Sequence, residues 1–133
     1  MSLAPLLAEP ILVQVHTLAA LAALLLGAVQ LASPMRTGKA VHRALGYAWA
    51  ALMLVVTLSS FGFVYRPLLG PFSWIHGLSA FTTVMVILGV LAARRRMIVH
   101  HRTTMWMIYV FALVVTGAFT LLPGRLMHRV VFG

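Results

Sequence analysis

The chain reads as an all-α integral membrane protein, an up-down-up-down bundle of four helices built from two repeated helical hairpins. Three observations predict this. Of the 133 residues, 62% are hydrophobic and only 8% are charged, which leaves too few polar groups to cover a soluble domain. Four apolar stretches each approach the roughly 20 residues that a helix rising about 1.5 Å per residue needs to cross about 30 Å of hydrocarbon. The histidines, finally, recur in matched contexts sixty residues apart.

The first stretch, 10–32, carries no basic segment before it and is long enough to span, so it reads as an uncleaved helix and not as a secretory leader. Ser33, Pro34 and Gly38 end it. The second stretch, 44–64, is closed by Pro67, Gly70 and Pro71, and the third, 72–93, by the run Arg94-Arg95-Arg96. The fourth, 103–122, stops at Pro123-Gly124. Connections this short leave no room for a soluble module within residues 1–133, and a single transmembrane domain is expected.

Ten Lys and Arg face one acidic residue, Glu9. Such a balance often marks nucleic-acid binding, but these cations lie at helix ends and no nucleic-acid partner is implied. Arg36, Lys39, Arg43, Arg94, Arg95, Arg96 and Arg102 fall on one side of the bundle, and Arg66, Arg125 and Arg129 on the other. The bias places the loops near 33–43 and 94–102 in the cytoplasm and both termini outside, with anionic lipid headgroups as partners of the basic loops.

Ionisable groups inside a membrane are costly and rare, so the histidines are the first candidates for function. His16 opens His16-Thr17-Leu18-Ala19-Ala20 and His76 opens His76-Gly77-Leu78-Ser79-Ala80. His42-Arg43 precedes the second stretch and His101-Arg102 the fourth, with spacings of 26 and 25 residues between the two histidines of each half. Both hairpins start outside, so the repeat relates them by a pseudo-two-fold axis along the membrane normal. In a bundle of antiparallel neighbours, helices one and three are diagonal, as are two and four. His16 and His76 then oppose each other near the outer boundary, and His42 and His101 near the inner one.

Two imidazoles opposed across a bundle axis suit the two axial positions of a b-type haem, and two levels would make a transmembrane electron path. Gly46, one turn after His42, leaves space for a macrocycle, and Arg43 and Arg102 suit its propionates. The outer pair ranks first, because the inner one sits close to water and His100 competes with His101. A structural role is the alternative. Small residues also bring bare membrane helices together, boundary arginines follow from topology alone, and Trp74 fits an interfacial belt. Copper is a rival ligand, since imidazole and thioether both bind it and the chain holds eight methionines. A non-redox scaffold subunit or a copper or zinc transporter is thus the competing class.

Other chemistries drop out. Without cysteine there are no disulfides, thiolate metal sites or covalently attached c-type haem. The apolar stretches contain no carboxylate for a proton relay or for zinc-dependent hydrolysis. Ser59, Ser60, Ser73 and Ser79 have no recognisable base and orienting acid.

The segments His42-Arg43-Ala44-Leu45-Gly46-Tyr47, His101-Arg102-Thr103-Thr104-Met105 and Phe119-Thr120-Leu121-Leu122-Pro123-Gly124-Arg125 resemble a bacterial membrane family, domain of unknown function 2306, over nearly the whole chain. That resemblance implies four helices in a bacterial inner membrane and brings no activity with it. In architecture the chain is also similar to four-helix cytochromes of the b561 type, which carry two haems between paired histidines. That likeness implies one or two haem b, held by His16, His76, His42 and His101, with quinone or another redox partner. A homo-oligomer or larger membrane complex is compatible with it. No contiguous ligand motif of those cytochromes occurs in this sequence.

Overall fold

The structure is a computed structural model and describes residues 1–32, 38–63, 67–69 and 72–133. Six helices follow one another among these residues: α1 Ala4–Leu7, α2 Ile11–Ala32, α3 Lys39–Ser60, α4 Trp74–Arg94, α5 Ile98–Thr120 and α6 Leu126–Phe132. Four of them, α2 to α5, are long and apolar enough to cross a membrane. Each is neighbour to the next, and α5 closes the ring against α2. The bundle is all-α and up-down-up-down.

Which residues point inward identifies the solvent. Thr57, Ser60, His76, Ser79 and Thr82 are buried, whereas Leu18, Leu25, Phe81, Leu88 and Phe111 are exposed. A water-soluble bundle would reverse that pattern. In lipid the apolar face turns outward, and small or hydroxylated residues let helices approach and bond across the interface.

Each neighbouring helix pair carries such a bond. Trp49 Nε1–H donates to the Ala23 carbonyl at 3.0 Å, joining α3 to α2. Thr83 Oγ1 donates to Thr57 Oγ1 at 2.9 Å, joining α4 to α3. His101 Nδ1 meets the Gly89 carbonyl at 2.9 Å, joining α5 to α4. Tyr109 donates its hydroxyl to the Leu24 carbonyl at 3.1 Å, joining α5 back to α2. Ala23, Trp49, Met53, Val86, Ile108 and Leu113 make the dry centre between these ties.

Several boundaries differ from the hydropathy reading. Helix α3 begins at Lys39 and α5 at Ile98, one turn or more before the apolar stretches. The backbone satisfies its hydrogen bonds through the basic residues as readily as through apolar ones, while their long side chains reach towards the interface. Helix α4 begins at Trp74, because Phe72–Ser73 pairs antiparallel with Pro67–Leu69 in a short two-stranded ribbon. The expected end of the second stretch at Val64 lies outside the described residues. Helix α4 stops where Arg96 takes φ +59°, with Met97 N–H bonded to the Ala92 carbonyl at 2.8 Å, the left-handed termination that captures the last carbonyls of a helix.

Helix α5 holds a π-helical segment, Ile108–Val115. It contains Tyr109, whose hydroxyl reaches α2. Wide turns of this kind appear within α-helices chiefly at functional or closely packed positions. At the terminal end of the bundle, α1 rests on α6 through a Ser2 N–H bond to the Val130 carbonyl, 3.0 Å, with Leu6 and Val130 buried. Arg129 and Glu9 stand 3.7 Å apart beside it.

Candidate functional site

His42 and His101 meet at the basic end of the bundle. His42 sits in the first turn of α3, its N–H bonded to the Gly38 carbonyl, and His101 in the first turn of α5, its N–H bonded to the Met97 carbonyl. These helices are diagonal, so the two rings face each other across the bundle. Their centroids lie 6.4 Å apart, with ring planes at 89°. His100, one residue away, is exposed, so His101 is the member of that pair turned towards His42.

This separation has a chemical meaning. A metal–imidazole bond is about 2.0–2.1 Å and the ring centre lies about 1.1 Å behind the nitrogen, so rings on opposite sides of one ion have centres about 6.2–6.4 Å apart. The hydrogen bonds point the same way. With Nδ1–H donating to the Gly89 carbonyl, His101 keeps its lone pair on Nε2, the tautomer and orientation that a neighbouring carbonyl imposes on metal-binding histidines. His42 Nδ1 is buried with no hydrogen-bond partner among the described residues. A buried polar atom in that condition calls for a ligand, an ion or a water.

The surroundings are built from the same helices. Gln30 Nε2–H donates to the His42 carbonyl at 3.0 Å, and the two partners are twelve residues apart, as Gly89 and His101 are. The halves of the chain thus anchor their basic-end histidines from corresponding positions on the preceding helix. A Cβ added at Gly46 would meet only the Gln30 amide, at 3.5 Å, which is ordinary contact and leaves the His42 side of α3 uncrowded. Arg43 and Arg102 are exposed beside their histidines and have no carboxylate partner among the described residues. Arg36 and Arg66 lie outside the described residues.

His16 and His76 make a different arrangement at the other end. The Ser59 hydroxyl donates to the Val56 carbonyl at 3.0 Å and lies 2.8 Å from His16 Nδ1, so its oxygen accepts from that nitrogen. The His16 ring also meets the edge of Phe63, with centroids 4.9 Å apart. His76 Nε2–H donates to the Phe61 carbonyl at 3.2 Å, and its ring stacks on Phe61 at 5.6 Å. Both histidines therefore engage the end of α3. Among the described residues a ring contact joins His42 to His101, and none joins His16 to His76. The pair brought into ring contact is thus the one at the basic end, while the pair ranked first from the sequence is held apart by partners on α3.

Sequence reasoning missed Ser59, Phe61 and Phe63. The signal for Ser59 was only partial: in an antiparallel hairpin partners lie at equal distances from the loop, as Gln30 with His42 and Ala23 with Trp49 do, and that rule sets His16 opposite Val56, about one turn before Ser59. Of the methionines, Met53 lies at the centre of the core and Met85 and Met105 pack against it. Trp74 is exposed at a helix end, as an interfacial belt residue is. No group of three His, Cys, Asp or Glu gathers among the described residues, which offer two nitrogen donors at the basic end, from His42 and His101. Two donors suit an ion whose other positions are filled by a macrocycle better than they suit structural zinc.

Fold and site together define a multi-pass α-helical membrane protein with a facing histidine pair at its basic end. The chain belongs to the family described as predicted membrane protein, DUF2306, whose profile matches residues 13–132. No curated protein and no solved structure matches it.

Proposed function

We propose that this protein is a small b-type cytochrome that carries electrons in or across a bacterial inner membrane, holding one haem b between His42 and His101. The observation that carries the reading is the 6.4 Å separation of two imidazoles facing across the bundle. It is supported by the orphaned His42 Nδ1 and by the Gly89 carbonyl that orients His101. Haem b held by His42 and His101 would supply a one-electron couple there. The chain's own groups do the rest. The Gly89 carbonyl fixes the His101 tautomer and raises the basicity of Nε2. Arg102 offers a cation to a propionate at the boundary. The apolar faces of α3 and α5 keep water from the bundle interior.

In this reading the basic end faces the cytoplasm and both termini the periplasm, as the excess of Lys and Arg in the loops near 33–43 and 94–102 favours. The partner in this reading is a quinone or another redox protein, in a homo-oligomer or a larger complex. His16 and His76 act as hydrogen-bonding groups that fix the end of α3.

The test is an absorption spectrum of detergent-purified protein, produced with a haem supply, before and after dithionite. Reduction should sharpen and shift the bands. His42→Ala and His101→Ala should each abolish that response, while His100→Ala and His16→Ala preserve it. A colourless protein from haem-supplied cells, or a response that survives loss of either inner histidine, overturns the assignment and leaves a scaffold or a copper or zinc transporter, which metal analysis separates.

A further inference from the structure

A groove of about 320 Å³ runs along the outside of the bundle between α3 and α4. Its floor is Ala50 and Val86, both buried, and Tyr47, Leu54 and Leu91 form its sides. It exists because Ala50 and Ala51 present only methyl groups where longer residues would fill the seam. From Tyr47 to Leu54 it covers about 10 Å of helix at 1.5 Å per residue. The lining is almost wholly apolar, and Tyr47 is the lining residue of α3 nearest the basic end.

The charges at that end select the occupant. Residues three and four apart share a helix face. Lys39 and Arg43 precede Tyr47 by eight and four residues on α3, and Arg94, the last residue of α4, and Arg95 just after it follow Leu91 by three and four. Because the helices are antiparallel, both runs of cations end at the same side of the membrane. Arg95 N–H still bonds to the Leu91 carbonyl at 2.9 Å, so Arg95 stays in register with the helix before Arg96 turns away. Lys39, Arg43, Arg94 and Arg95 are exposed, and the sole carboxylate of the chain, Glu9, is at the opposite end against Arg129.

We infer that this groove holds one acyl chain of an anionic phospholipid whose phosphate is bound by Arg43, Arg94 and Arg95. The inference does not depend on the haem reading. A quinone tail fits the groove equally well, but a neutral headgroup has no use for several cations at the exit. A second copy of the chain would bring its own cations against these.

Native mass spectrometry of the full-length protein in detergent, offered equal dioleoylphosphatidylglycerol and dioleoylphosphatidylcholine, tests it. One phosphatidylglycerol should be retained in preference, with retention falling about fivefold for each cation replaced by glutamine, from the contribution of a basic residue near an anionic surface. Ala51→Phe fills the groove from an exposed position and should lower retention with all arginines intact. Ala51→Leu repeats the test with a smaller side chain should Phe unfold the protein. Equal retention of both lipids overturns the proposal, as does retention insensitive to the groove variants. A fall with the groove variants but not with Arg43→Gln, Arg94→Gln and Arg95→Gln, or quinone displacing phosphatidylglycerol, overturns it too.

Discussion

Replacing Gly27 with alanine should loosen the middle of the bundle by an amount the geometry sets. An added Cβ would lie 2.7 Å from Cδ2 and Cε2 of Tyr109 and 2.8 Å from Nε1 of Trp49. Neither ring is a flexible tip. Trp49 is tied to the Ala23 carbonyl and Tyr109 to the Leu24 carbonyl, each by its only polar hydrogen. Overfilling a packed core costs about 1–3 kcal/mol, and losing both membrane-embedded hydrogen bonds adds about 0.6 kcal/mol each. Alanine recovers up to about 1 kcal/mol through its better helix propensity. The net loss is about 1–3 kcal/mol. The comparison variant is Gly117→Ala, where an added Cβ meets nothing within 4 Å and only the propensity gain applies. Mixed-micelle unfolding followed by far-UV circular dichroism and tryptophan fluorescence measures both. Gly27→Ala should unfold earlier than wild type and Gly117→Ala at the same point or later. Equal behaviour of the two glycine variants would refute the close approach of α2, α3 and α5.

Thr83→Val removes the bond to Thr57 that joins α4 to α3 while keeping the shape of the side chain. A loss of about 0.6 kcal/mol, and no more than about 1.7, is expected in the same unfolding assay. Glu9→Gln breaks an ion pair whose side chains are 56% and 34% exposed, so stability should change by less than about 1 kcal/mol and become insensitive to added salt at that site. Exchange of the Ser2 amide, which donates to the Val130 carbonyl, compared between Glu9→Gln and the parent, should show whether the backbone bond between the termini survives without the ion pair. The expected result is that it does.

Much of the architecture was legible because lipid imposes one rule on every residue. A helix must be apolar for its whole crossing, so 10–32 and 103–122 announce themselves, and short connections force antiparallel neighbours. Helix starts were not legible from hydropathy. Lys39 and Ile98 open their helices in segments that a hydropathy window discards for their charge, and the resulting shift puts His42 and His101 inside helical turns. The π segment at Ile108–Val115 has no proline or other breaker to signal it; packing of Tyr109 against Gly27 goes with it. The ribbon containing Phe72–Ser73 replaces an expected helical turn, since a bulky aromatic suits strand and helix alike until its neighbours are known.

The candidate site shows the same division. Repeat spacing selected the four histidines and assigned them to two levels. It could not say which pair would meet, because that depends on hydroxyls and carbonyls from other helices. Ser59 and the Phe61 carbonyl claim His16 and His76, while only one nitrogen at the basic end, His101 Nδ1, is claimed by the Gly89 carbonyl. Helix rotation likewise leaves His100 exposed and turns His101 towards His42, a rotation that residue spacing alone does not specify.

Low-temperature electron paramagnetic resonance of the oxidised, haem-supplied protein tests the central claim most directly. Two imidazoles with planes at 89° predict a strongly anisotropic low-spin signal with one large g value, converted to high spin by His42→Ala and by His101→Ala. A low-spin signal unchanged in either variant, or no haem signal from the parent, would contradict the account.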